Sequence, residues 1–63
     1  MTLRDLVNKM YSEEKLMIKY TPNDFWLECT PDKIINDYDA IRDLPVSVVW
    51  YSQLYGAIMI ELE

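Results

Sequence analysis

The sequence predicts one α+β domain, with a mostly antiparallel four-stranded sheet carrying two helices on one face. Three observations lead there. Two threonines, Thr2 and Thr30, each stand before a segment whose apolar residues recur at helical spacing. Two pairs of short segments show strand alternation or are rich in β-branched and aromatic residues, each pair separated by turn residues. The chain has 63 residues, which leaves room for one core, so residues 1–63 are read as a single domain.

Thr2 is a good N-cap, and Asp5 three positions later makes a short capping box. Leu3, Leu6, Val7 and Met10 form one stripe, which predicts a helix over residues 3–11. After the polar Ser12-Glu13-Glu14, the first strand runs from Lys15 to Tyr20. Thr21-Pro22-Asn23-Asp24 reads as a turn, and Phe25 to Cys29 returns as the second strand. Thr30-Pro31 opens a second helix by the pairing of an N-cap with proline at the first helical position. Ile34, Ile35, Tyr38 and Ile41 form its apolar face, and Pro45 ends it by restricting Leu44. Val46 to Tyr51 is the third strand, Ser52 to Gly56 a turn, and Ala57 to Leu62 the fourth strand. The two halves, residues 2–29 and 30–62, share an element order but little sequence.

Eleven acidic and six basic residues give a net charge of −5, and there is no histidine. A histidine triad, a histidine metal site and a histidine proton relay are thereby excluded. The clustered Lys and Arg of a nucleic-acid-binding surface are missing, so direct nucleic-acid binding is not expected. With 51% hydrophobic and 13% aromatic residues, the chain is not a disordered acidic tail. One cysteine, Cys29, cannot form an internal disulfide, which favours a reducing compartment. The N-terminus lacks the apolar run of a signal peptide, and no stretch approaches the ~20 residues of a membrane span. A soluble, cytoplasmic protein of a bacterial or equivalent cell is expected, with no membrane partner.

Two surfaces stand out. If Leu16, Ile18, Phe25, Leu27, Val46, Val48, Trp50, Ile58 and Ile60 face the core, the opposite phase of the sheet carries Met17, Trp26, Val49, Tyr51 and Met59. A solvated face should be mostly polar, whereas these residue types are common in interface cores. An apolar partner-binding face is the favoured reading; the alternatives are an inverted phase or a helix packed there. On the second helix, Asp32, Asn36, Asp39 and Asp43 fall in one stripe with Asp37 beside them. Such a row of carboxylates can imitate nucleic-acid phosphates in a basic groove, or can simply be a solvated face.

Other chemistry is not expected. Asp37-Tyr38-Asp39 lacks the glycine and glutamate of a calcium loop, so no metal and no cofactor is implied. Cys29 has no activating base and alternates with Phe25 and Leu27 toward the core. Ser12, Ser47 and Ser52 have no base either, and a single glycine excludes a phosphate-cradling loop. No enzyme is expected.

The opening Met1-Thr2-Leu3-Arg4-Asp5-Leu6 and the closing hairpin, Val46 to Trp50 and Tyr55 to Leu62, carry a resemblance. Together they resemble small orphan proteins of phages and integrative elements of low-GC Gram-positive bacteria. Some small acidic proteins of such elements are anti-CRISPR proteins, which block Cas effectors, often at the groove that reads DNA. The resemblance implies an inhibitor of a nucleic-acid-binding enzyme such as a Cas effector, a DNA mimic that catalyses nothing. Asp32, Asp37, Asp39 and Asp43 would meet basic groups, and Trp26, Tyr51 and Met59 would anchor the contact. The competing expectation is a self-associating accessory protein that buries its apolar sheet face in a homodimer.

Overall fold

The computed structural model describes residues 1–20 and 25–63, so the expected turn at Thr21–Asp24 lies outside the described residues. The elements are α1 (Leu3–Val7), β1 (Leu16–Tyr20), β2 (Leu27–Cys29), α2 (Pro31–Asp37), β3 (Val46–Ser52) and β4 (Ala57–Leu62). The order α-β-β-α-β-β and the α+β class are as expected.

Both threonine caps form. Thr2 Oγ1 accepts from the Asp5 amide at 3.2 Å, while the Thr2 amide donates to Asp5 Oδ2 at 3.2 Å, which completes the capping box. Thr30 Oγ1 accepts from the Lys33 amide at 3.4 Å. Both helices stop earlier than their apolar spacing implies. The first ends at Val7, with Asn8 as C-cap, and Met10 reaches the core from the following turn. The second ends at Asp37 because Tyr38 leaves helical geometry (φ −119°, ψ 54°). Arg42 Nη1 donates to the Ile35 carbonyl at 2.6 Å, supplying a cation to a helix end that has none of its own. Ile41 and Leu44 still pack on the core from turns.

The strands form one sheet in the order β2-β1-β4-β3. The pairs β1–β2 and β3–β4 are antiparallel, and the central pair β1–β4 is parallel, with Leu16 opposite Ile58 and Tyr20 opposite Leu62. Leu3 and Val7 of α1 and Ile34 of α2 are buried with Leu16, Ile18, Cys29, Ile60 and Leu62, so both helices cover the same face. Residues 1–4 are stitched to the segment entering β3. The Leu3 and Arg4 amides donate to the Leu44 and Arg42 carbonyls, and the Val46 amide donates to the Met1 carbonyl at 2.9 Å. Gly56 closes the β3–β4 hairpin at φ +59°, a conformation that a side chain would strain.

Three expected core residues, Phe25, Val48 and Trp50, lie elsewhere. Phe25 precedes β2, which starts at Leu27, and is 65% exposed. In β3 the phase itself is inverted. Val46 pairs with Leu62 but Val48 pairs with Glu61, a bulge that inserts one residue and turns the rest of the strand over. Directly opposed residues share a face, so Val48 and Trp50, opposite Glu61 and Met59, lie on the outer face. Val49 and Tyr51, opposite Ile60 and Ile58, lie on the helix-bearing face.

Candidate functional site

The outer face is built on one row across the sheet: Glu28, Met17, Met59 and Trp50, one from each strand. A second row sets Lys19 beside Glu61 and Glu61 beside Val48. Trp26, just before β2, meets Trp50 from the opposite sheet edge, with ring centroids 6.4 Å apart and planes at 87°. That edge-to-face geometry places the positive ring rim of one indole against the negative face of the other. Lys19 Nζ lies 5.9 Å from the Trp26 ring centre, in cation–π range. Trp50 Nε1 donates to Glu61 Oε2 at 3.4 Å.

The two indoles therefore span the outer face rather than leave it bare. Met59, in the row between them, is only 1% exposed, although no helix covers this side. Met17 and Trp26 are half-buried. Of the five expected apolar contact residues, Met17, Trp26 and Met59 do share the outer face, Met59 as a buried member and not an accessible anchor. Val49 and Tyr51 are the correction, because the bulge sends them to the other side. Trp50, which the expected phase assigns to the core, belongs in their place.

The exposed apolar surface gathers on β3 instead. Val48 and Val49 are each 45% exposed, Trp50 43% and Tyr51 63%, while Leu54 and Tyr55 of the hairpin turn are also exposed. This strand is one edge of the sheet, seven residues long, and none of its residues is Asp, Glu, Lys or Arg. The other edge, β2, is three residues long with Glu28 at its centre. Natural sheets blunt their edges with shortness, charge, proline or bulges. The Met1–Thr2 segment covers the near end of β3, through the Thr2–Pro45 bridge and the Val46 amide. Beyond the bulge, from Val48 to Tyr51, none of those devices is found among the described residues.

The acidic residues do not form the expected stripe. Since α2 ends at Asp37, Asp39 and Asp43 stand on the turns that follow. Asp43 is held by Arg4 through two contacts, Nη2–Oδ2 at 3.0 Å and Nε–Oδ1 at 2.9 Å. Asp32 accepts from Asn36 Nδ2 at 3.1 Å. Asp37 and Asp39 are exposed. Charge is thus present along this side, but one of its four carboxylates is committed to tying α1 to the segment before β3.

Burial pushes the Cys29 thiol up to about 11, with the neighbouring Glu28 charge adding to the effect. At neutral pH it is a thiol, and a poor nucleophile. Among the described residues, no group of three or more Cys, Asp and Glu side chains is placed to hold a metal ion. No helix among them is long and apolar enough to cross a membrane. Comparison with known protein families, curated proteins and solved structures finds no match for this chain.

Proposed function

We propose that this chain is a small acidic protein-binding module that acts without catalysis and makes contact through β3 and its hairpin. The observation that supports this most is the exposed half of β3, from Val48 to Tyr51, in a sheet whose other edge is short and charged. An uncovered edge offers unpaired backbone N–H and C=O groups, and the β-branched and aromatic side chains beside them add packing surface.

A photo-crosslinking residue placed at Tyr51 in expressing cells tests the reading, with the same residue at Glu13, an exposed position before β1, as control. Discrete protein adducts at position 51 and none at position 13 are expected. Equal adducts at both positions, or none at 51, would refute it.

The narrower reading, an inhibitor that occupies a basic groove of a nucleic-acid-binding enzyme such as a Cas effector, draws on the net charge of −5 and on exposed Asp32, Asp37 and Asp39. Asp43, which is paired with Arg4, contributes little charge to such a contact. Capture of a Cas effector that weakens with added salt and with D37N/D39N would favour it; capture indifferent to both would count against it.

A further inference from the structure

We infer that the partner of β3 is a second copy of this chain, added antiparallel across a two-fold axis at Trp50 to make one continuous sheet. The inference rests on the reading of β3 as the contact surface and names its occupant.

The open length of the edge selects the register. Val46 is occupied by the Met1 carbonyl, and the bulge interrupts the strand between Val46 and Val48. Beyond the bulge Val48–Tyr51 are exposed, while Ser52, which closes the strand, is 7% exposed and accepts from the Tyr55 amide through its Oγ. A two-fold pairing that sets all of β3 beyond the bulge, Val48 to Ser52, against itself centres on Trp50. Val48 then meets Ser52 of the second copy, Val49 meets its Tyr51, and the two Trp50 residues meet each other. Paired residues share a face, so the pairs sort correctly. Val48, Trp50 and Ser52 lie on the outer side, and Val49 and Tyr51 lie on the helix side. A register centred on Val49 would instead need Ser47 and Val46, where the bulge and the Met1 contact stand.

Charge permits this contact. Two chains of net charge −5 repel over most of their surfaces, yet Val46–Ser52 brings no carboxylate to the axis. Glu61, the acidic side chain beside it, is hydrogen-bonded to Trp50 and stands next to Lys19. Size permits it too. At typical side-chain areas, the exposed parts of Val48, Val49, Trp50, Tyr51 and the flanking Leu54 and Tyr55 amount to roughly 600 Å² per copy, so a dimer that covered all of them would bury at most about 1,200 Å², the lower end of stable interfaces. A chain this short also gains proportionally from association, because its single core buries a small share of its surface.

The test is the solution mass of the chain over a dilution series up to about 100 µM, repeated with V49K and with the two cysteine variants W50C and V48C. Wild type is expected at twice the 7.5 kDa of one chain at the upper end. V49K, a charge at a half-exposed position, is expected to be monomeric with an unchanged circular dichroism spectrum. Under mild oxidation W50C should form an intermolecular disulfide, because its thiols meet on the axis, whereas V48C should not. Cys29 is buried and does not compete.

A monomeric wild type across the series would overturn self-pairing, as would a folded V49K that remains dimeric. Crosslinking of V48C in preference to W50C would overturn the register. Adducts at Tyr51 on a different protein, from a chain that is monomeric in solution, would remove the second copy while leaving β3 as the contact surface.

Discussion

Replacing Met59 by alanine separates a covered outer face from an open one. The substitution removes Cγ, Sδ and Cε from a side chain that is 1% exposed, although the sheet face around it carries no helix. Buried Met→Ala changes cost about 2–5 kcal/mol, the transfer of the lost groups plus the void they leave. The cover here is two indole rings and not a closed core, so relaxation is easier and about 2–3 kcal/mol is expected. A domain of this size has roughly 3–9 kcal/mol in total, so the variant should lose a large part of its stability. At about 4–8 °C per kcal/mol, the melting temperature should fall by ~10–20 °C. Urea denaturation followed by tryptophan fluorescence gives the difference, with an unchanged m-value and a lower midpoint. L54A, at a side chain 86% exposed, serves as the control. A loss below about 0.5 kcal/mol, the range of surface substitutions, would refute the cover formed by Trp26 and Trp50.

Three further outcomes follow from the same structure. Cys29 has its pKa raised from 9.0 to about 11 by burial, so the unfolded chain ionises first; stability should hold below pH 9 and fall as pH rises from 9 to 11. C29A should lessen that alkaline loss, as read by urea midpoints across the range, and an equal loss in the variant would contradict the buried thiol. Asp5 sits below the ordinary carboxylate value of 3.8, chiefly through the Thr2 amide and then the Thr2 side chain, so its contribution is present above that pH and lost as pH falls through the lowered value. D5N should therefore flatten the acid limb of the stability curve, while T2A should cost about 1 kcal/mol at neutral pH. Arg4 and Asp43 are both substantially exposed, so D43N should cost no more than about 1 kcal/mol, with a loss that shrinks in high salt.

Local signals carried most of the element order. Thr2 and Thr30 mark their helix starts because a hydroxyl acceptor before an apolar stripe has one efficient use, and both caps form. The helix ends were less legible. Ile41 keeps helical spacing with Ile34 and Tyr38, yet it reaches the same core from a turn, and the capping Arg42 guanidinium comes from seven residues beyond Ile35. The acidic stripe dissolves for that reason: it assumed a helix through Asp43. In β3 the sequence Val-Ser-Val-Val-Trp-Tyr is apolar in both phases, so one inserted residue could invert the faces without violating the pattern. The parallel β1–β4 pairing depends on contacts between segments some 40 residues apart, and no local residue encodes it.

The most direct test of β3 as a self-pairing edge is amide hydrogen exchange of Val48–Ser52, compared between dilute and concentrated protein. Slower exchange in this segment at high concentration, with β2 and α1 unchanged, is the predicted result. Exchange in Val48–Ser52 that stays as fast in concentrated as in dilute solution would contradict it.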